Sequence, residues 1–280
     1  MNRVIACIDS SPCINAIADA SAWIAQKTGR ELVLLQVLDY YPASYHLGEI
    51  SGVIGFESNA MLLKELAELE QKQSELAIDY SNNLLNHISH LIEEKYQIKP
   101  TQIQEKGDFL EQSFNALRET DIVLIGRVGE RSAEKQKRLG SNVENFIRGA
   151  KCTVMTVGES FKPPTRFIFA YEDSPTCKDM MQRVAKSDFL RQLQCHLLYV
   201  GDHPEILNTP SAFLREAGLD VVVEYRYGDV AENILDYQNQ HQIQLIVLGA
   251  YSRSKVRQFF LGSITTNIFR NSPVPLLVAK

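Results

Sequence analysis

Val4-Ile5-Ala6-Cys7-Ile8-Asp9-Ser10-Ser11-Pro12 and Phe167-Ile168-Phe169-Ala170-Tyr171-Glu172-Asp173-Ser174-Pro175 share one pattern: an apolar run, an acidic residue, then Ser-Pro. Outward from each copy the same landmarks follow in the same order. A second apolar run ends in Asp39 or Asp202, and a Gly-Asp pair follows (Gly107-Asp108, Gly228-Asp229). Next come an apolar run closed by Gly126 or Gly249, a Gly-Ser pair (Gly140-Ser141, Gly262-Ser263) and a last apolar run. The intervals agree. Asp9 to Asp39 and Glu172 to Asp202 are each 30 residues, and Gly140 to Cys152 and Gly262 to Val274 are each 12. Gly107 to Gly140 spans 33 residues, and Gly228 to Gly262 spans 34. A repeat of this length means two copies of one domain, so any site is sought in matching places in both. The exception is the stretch from Asp39 to Gly107, 68 residues against 26 from Asp202 to Gly228, an insertion of about 42 in the first copy.

The strands are short, apolar and unalternating: Val4–Ile8, Leu32–Leu38, Ile122–Ile125 and Thr153–Val157, then Phe167–Tyr171, His196–Val200, Leu245–Leu248 and Val274–Val278. Runs of this kind are buried on both faces, as in a parallel sheet covered by helices. Ser10-Ser11-Pro12 and Asp173-Ser174-Pro175 each offer a helix N-cap followed by Pro at the first helical position. Phe109–Leu117 and Val230–Tyr237 read as amphipathic helices. The order β-α-β-α-β-α-β-α-β predicts an α/β fold, doubly wound, with right-handed crossovers. The expected domains are 1–160, with a long helical insertion over about 40–100, and 165–280, joined by the stiff linker Lys162-Pro163-Pro164.

The insertion carries Leu62, Leu66, Leu69, Leu76, Tyr80, Leu84, Ile88 and Leu91 at steps of mostly three and four. They predict one long helix over about 58–95 whose apolar face packs on the sheet. The competing reading is a surface for a partner or an apolar small molecule, aided by the semi-apolar loop Tyr45–Phe56. His87 and His90 lie close on that helix without a third ligand in view, so no metal site is read there.

At 280 residues the chain suits two domains. Its net charge of −5 argues against a dedicated nucleic-acid binder. No run reaches the length of a membrane span, and the start enters a strand without a signal-peptide core. Cys7, Cys13, Cys152, Cys177 and Cys195 form no CxxC and are odd in number, a usage that fits a reducing cytoplasm.

In the second half Gly249 follows the fourth strand, with Ser252 three residues on, and Gly262-Ser263 precedes a helical run. Gly at a strand end lets backbone approach a ligand closely and permits unusual φ. Free N–H groups and the dipole at the start of the following helix would meet an anion, and the Ser263 hydroxyl can cap the helix or bond a phosphate. The acidic residue after strand one, Asp9 or Glu172, sits at the same rim, where a carboxylate can accept both ribose hydroxyls. The first half has Gly126-Arg127-Val128-Gly129, then Gly140-Ser141, in a loop one residue longer. That loop carries Arg127, Arg131, Lys135, Lys137 and Arg138 against Glu130 and Glu134. These charges read as a solvated loop, with electrostatic help to bound phosphates as the alternative.

The pattern Gly-x2-Gly-x9-Gly-Ser/Thr with an acidic residue after strand one resembles the universal stress protein family. Phe260-Leu261-Gly262-Ser263 followed by Asn271-Ser272-Pro273-Val274-Pro275-Leu276-Leu277-Val278 is similar to that family's C-terminal signature. The resemblance covers nearly the whole chain, as two tandem domains, except the insertion. It implies five-stranded parallel sheets of the adenine nucleotide alpha hydrolase-like kind, paired through their last strands as a pseudo-dimer: Thr153–Val157 beside Val274–Val278. It also implies binding of ATP or a related adenine nucleotide, with Mg2+ as a candidate companion, in a stress-response or regulatory protein. By position, Asp9 and Glu172 would take the ribose, and backbone near Val37 and Val200 would meet adenine. Gly126, Gly129, Gly140 and Ser141 would hold phosphates in the first half, and Gly249, Ser252, Gly262 and Ser263 in the second. Ser252 stands where the second motif would have its second glycine, which narrows the space for phosphate. Both sites read as nucleotide-shaped, with unequal occupancy.

No catalytic set is evident: there is no Gly-x4-Gly-Lys-Ser/Thr, His-Glu-x2-His or Gly-x-Ser-x-Gly. Binding is therefore expected over catalysis. The alternatives are a slow Mg-dependent ATP hydrolase and a nucleotide-free interaction module; the sequence leaves open whether two chains pair as a homodimer.

Overall fold

The structure is a computed structural model describing residues 2–38, 56–128, 141–249 and 263–279. The first half runs β1 (Arg3–Cys7), α1 (Ile14–Thr28), β2 (Glu31–Leu38), α2 (Phe56–Tyr96), β3 (Thr101–Lys106), α3 (Phe109–Ala116), β4 (Ile122–Gly126), α4 (Ser141–Gly149) and β5 (Thr153–Val157). The second repeats it: β6 (Arg166–Ala170), α5 (Pro175–Lys186), β7 (Gln194–Val200), α6 (Asn208–Glu216), β8 (Val221–Arg226), α7 (Val230–Gln240), β9 (Leu245–Gly249), α8 (Ser263–Asn271) and β10 (Leu276–Ala279). The strands form one sheet in the order β3-β2-β1-β4-β5-β10-β9-β6-β7-β8. Each half is the expected doubly wound parallel unit, and the last strands meet as expected: β5 and β10 pair antiparallel, Met155 opposite Leu277. Every other neighbouring pair is parallel.

The buried strands match their apolar runs to within a residue or two. β10 begins at Leu276 rather than Val274 because Pro273 and Pro275 have no N–H to give a ladder, although Pro275 O still accepts Ile246 N at 3.1 Å. β3 and β8 escape the apolar-run reading because they are the sheet's two edges. Thr101-Gln102-Ile103-Gln104-Glu105-Lys106 and Val221-Val222-Val223-Glu224-Tyr225-Arg226 mix polar and apolar residues, as half-covered strands do. The Gly-Asp pairs open α3 and α7: Asp108 and Asp229 accept the N–H of Glu111 and Glu232 at 3.0 and 2.9 Å. Gly107 and Gly228 precede them with φ of 135° and 105°, conformations that favour glycine.

Two apolar layers flank the sheet. One lies under α1, α2, α5 and α6, the other under α3, α4, α7 and α8, and both run through the two halves. Trp23 of α1 touches Phe161 before the linker and Phe189 of the second half, ring centroids 5.9 and 5.8 Å away.

The inserted helix exists, but its apolar stripe does not pack as one face. Ser81, Leu85, Ile88 and Ile92 are buried against the sheet, with Leu84 partly so, whereas Leu69, Leu76, Tyr80 and Leu91 are exposed. At about 100° per residue the two sets lie roughly a third of a turn apart. Steps of three and four over forty residues join positions that drift round the helix, so the sequence reading merges two faces.

Candidate functional site

The strand order reverses between β1 and β4 in the first half and between β6 and β9 in the second. Ligands of open α/β sheets bind beyond the carboxyl ends of the strands at such a switch. The candidate residues converge on it. Ile8 N continues the ladder to Leu35 O at 2.8 Å, so Asp9 is the first residue past β1, while Gly126 ends the neighbouring β4 and half-buried Val37 lies near the end of β2. In the second half Tyr171 N donates to Leu198 O at 2.8 Å, which places Glu172 in register with Asp9; Gly249 ends β9 and Val200 ends β7. Gly129, Gly140, Ser252 and Gly262 lie outside the described residues, as do Arg131, Lys135, Lys137 and Arg138. Ser141 and Ser263 open α4 and α8.

The turns after β1 and β6 differ in detail. The Asp9 carboxylate accepts Ser11 N at 3.1 Å, and Ser11 O accepts Ile14 N. Ser11-Pro12 does not cap the helix as expected: α1 starts at Ile14, with Cys13 at its N-cap and no side-chain cap. Ser11 is 2% exposed, and its buried hydroxyl has no hydrogen-bond partner among the described residues. In the second half the expected cap forms. Ser174 Oγ accepts Cys177 N at 3.2 Å, Pro175 takes the first helical position, and the same hydroxyl donates to Glu172 at 2.8 Å. Thus one turn keeps a buried hydroxyl in reserve and the other spends it. Glu172 is exposed and Asp9 half-buried.

Neither strand-ending glycine adopts positive φ. Their role is steric. A Cβ on Gly126 would lie 3.1 Å from Cys13 Cβ and 3.3 Å from Val128 O, and one on Gly249 would lie 3.4 Å from Cys177 Cα. The first turn of α1 or α5 therefore seats directly on the end of β4 or β9, a packing reason for glycine that exists without any ligand. Burial pushes the Cys177 thiol up to about 12, so it stays protonated near neutral pH and is no nucleophile. All five cysteines are buried.

Arg127 departs from both readings of its loop. Its guanidinium crosses to the second half, donating through Nη1 to Ser272 O and through Nη2 to Val274 O at 2.6 Å, while its backbone N donates to Val157 O. Burial holds its pKa below the ordinary value, and Nε has no partner among the described residues. It is an interdomain tie, and sequence reasoning missed it because its carbonyl partners carry no side-chain signal.

His87 is exposed, and His90 pairs with Glu94 at 3.2 Å on the outer face of α2. Among the described residues no three His, Cys, Asp or Glu side chains are placed to hold a metal, and no helix is long and apolar enough to cross a membrane.

A doubly wound α/β unit, duplicated and joined through its last strands, with an acidic residue and a glycine at each switch point, defines a class of tandem α/β proteins. Comparison with known sequences gives the family. A family model described as "Universal stress protein family" matches residues 1–158 and 211–280, and the chain belongs to that family. Universal stress protein Slr1230 of Synechocystis sp. (strain ATCC 27184 / PCC 6803 / Kazusa) is 29% identical over 288 residues, spanning the whole of both chains. Among solved structures, a universal stress protein from Archaeoglobus fulgidus DSM 4304 superposes with a TM-score of 0.75 at 20% identity, over 99% of this chain and 98% of that one. The functionally unknown protein PA1789 from Pseudomonas aeruginosa PAO1 has a TM-score of 0.60 at 15% identity, over 99% of this chain and 92% of that one. At these identities the structures speak for the fold.

Proposed function

We propose that the chain binds an adenine nucleotide (ATP, ADP or AMP) at the two switch points, as a stress-response or regulatory protein, and that the first half is the better occupied. The observation that carries the reading is the turn after β1. There a buried Ser11 hydroxyl without a partner among the described residues lies two positions from Asp9 and two before Cys13, which packs against Gly126 at the end of β4. A buried polar group is normally satisfied, and a bound polar ligand is one way to satisfy it. In the second half Ser174 and Glu172 already satisfy one another, and Ser252 occupies the place of a glycine.

In this reading Asp9 and Glu172 accept ribose hydroxyls, and Val37 and Val200 flank the base. Gly126, Gly129, Gly140 and Ser141 cradle phosphates in the first half, and Gly249, Ser252, Gly262 and Ser263 do so in the second. The helix starts at Ser141 and Ser263 supply N–H groups and positive dipole ends. A bound Mg2+ would neutralise phosphate charge. No residue of the chain is assigned as general base, and Arg127, the cation nearest Gly126 in sequence, is committed to carbonyls of the other half. Binding is accordingly the function, and any hydrolysis would be slow. Domain boundaries at 160 and 165 belong to the same reading.

Titration calorimetry with ATP, ADP and AMP, with and without Mg2+, tests it. Gly140→Val removes the larger share of the heat and Gly262→Val the smaller. Flat titrations with all three nucleotides overturn the proposal, and rapid phosphate release from Mg-ATP replaces it with the hydrolase reading.

A further inference from the structure

The two halves differ beneath α3 and α7. In the first half Val33 of β2 and Ala116, the last residue of α3, pack there as apolar side chains. The ladder bonds from Ile8 to Leu35 and from Tyr171 to Leu198 make His196 of β7 the equivalent of Val33. Counting from the Gly-Asp corners makes Tyr237 of α7 the equivalent of Ala116. The fold therefore closes this layer without a titratable group, and only the second half puts one there. His196 and Tyr237 are both buried.

The hydrogen bonds of this cluster are complete in one protonation state. The Asp220 carboxylate only accepts, so Gln194 donates to it through Nε2 at 2.7 Å and turns Oε1 toward His196. Oε1 also only accepts, so His196 Nε2 carries the hydrogen of that 3.1 Å bond. In the neutral ring Nδ1 is then bare, and the Tyr237 hydroxyl donates to it at 2.8 Å. Protonating Nδ1 makes both partners donors. The phenol would have to turn its hydrogen away, and among the described residues its hydroxyl has no other partner. A buried donor without an acceptor opposes that state. The neighbouring charges act in the same direction. Burial first, then His241 after α7 and Arg166 on β6, hold the His196 pKa below 6.5, with Asp220 opposing. On β8, Arg226 lies 5.5 Å from the Tyr237 ring and is paired with Glu224 at 3.1 Å.

The end of α7 is built to move as a unit. His241 stacks on the Tyr237 ring, and its carbonyl accepts Arg166 Nη1 at 3.1 Å. Gln238 Nε2 donates to Ile243 O, and Gln238 O accepts Ile243 N, each at 2.9 Å. Residues 237–243 are thus tied to one another, and the Tyr237 hydroxyl joins them to β7 at His196. We propose that His196 and Tyr237 form a proton-sensitive latch: a neutral imidazole fastens residues 237–243 to β7, and protonation of the ring releases them and bares the apolar layer beneath. The latch works with or without nucleotide.

Hydrogen exchange of the full chain, read as protection factors at about pH 7.5 and about pH 5, tests it. The released imidazole takes up a proton as the pH falls below about 6.5, so opening becomes easier in acid. Protection over 237–243 should fall severalfold, by at most about thirtyfold at about pH 5, while α3 keeps its protection. His196→Val with Tyr237→Phe gives the second half an apolar pair like that of the first, and His196→Gln keeps an acceptor for the phenol. Both should hold protection over 237–243 constant. Imidazole nitrogen chemical shifts in the unaltered chain, which need no variant to fold, should show a hydrogen on Nε2 and none on Nδ1 at about pH 7.5. Four results overturn the proposal: unchanged protection over 237–243 in acid; an equal loss in α3, which means general loosening; the same loss in a folded variant, which assigns it to other groups; or a His196 ring that carries a hydrogen on Nδ1 at about pH 7.5.

Discussion

His196 shows how one residue can set the pH range of this fold. It lies 4% exposed on β7, with Nδ1 2.8 Å from the Tyr237 hydroxyl and Nε2 3.1 Å from Gln194 Oε1, and His241 stacks on the Tyr237 ring with centroids 4.1 Å apart. Burial first, then the positive charge of His241 and Arg166, holds its pKa below the ordinary 6.5, with Asp220 opposing. The fold thus favours the neutral imidazole, and the unfolded chain binds the extra proton. The stability this contributes is complete above about pH 6.5 and is lost as the pH falls from there to the folded-state pKa. Urea midpoints should therefore drop more between neutral pH and about pH 5 for the unaltered chain than for His196→Gln, which carries no titrating ring. Equal drops would assign the acid sensitivity to other groups. Gly126 is the second residue whose environment decides its identity. A methyl group there meets Cys13 and the Val128 carbonyl, and overpacking of this kind costs about 1–3 kcal/mol. Gly126→Ala should lower the denaturation free energy by that amount even with no nucleotide in solution, which separates its packing role from any contact with phosphate.

At the scale of the element, α2 is two helices in one. Leu85 is 2% exposed and packs with Ile88 and Ile92, whereas Leu76 projects. Leu85→Ala should cost about 2–5 kcal/mol by urea denaturation, and Leu76→Ala within about 0.5 kcal/mol; similar costs would mean the projecting stretch is packed after all. The contrast marks how far periodicity can be read. The eight buried strands were legible because two-sided burial demands unbroken apolar runs, and the Gly-Asp corners because helix starts select for them. The edge strands β3 and β8 were not, since one covered face imposes only alternation, and alternation over six residues is weak. The cap at Ser174 was legible, while its twin at Ser11 was not: α1 starts two residues later, at Ile14 with Cys13 as its N-cap, where the helix seats against Gly126. Of the candidate site, the residues at strand ends were placed by the repeat itself. What no sequence pattern disclosed was which hydroxyl stays unpartnered and which is used.

Across the whole molecule the decisive feature is the junction of the halves. β5 and β10 are central strands of a ten-stranded sheet, the apolar layers run through, and Arg127 fastens the end of β4 to the turn before β10. Hydrogen bonds from a charged donor are each worth about 1.5–3 kcal/mol, less what desolvation of the guanidinium subtracts. Arg127→Ala should thus lower stability by a few kcal/mol at most, in the range of about 1.5–3, and broaden a single calorimetric transition toward two. Arg127→Lys should fail to restore it, because an ammonium cannot span two carbonyls as the planar fork does. A single sharp transition in both variants would show that β5 and β10 hold the halves together unaided.

The antiparallel pairing of β5 with β10 has a corollary for divergence. Two identical units meeting at that seam would have to keep every residue compatible with both sides, since any substitution would appear twice. Written in tandem on one polypeptide, the seam tolerates asymmetry: an arginine at 127 faces carbonyls on one side, while its counterpart in the other half is Ala250. One half is then free to lengthen a crossover, and the other to shorten it and leave tyrosines showing at its edge strand. Covalent fusion here converts a symmetric partnership into a division of labour, with each edge of the sheet free to acquire a separate trade.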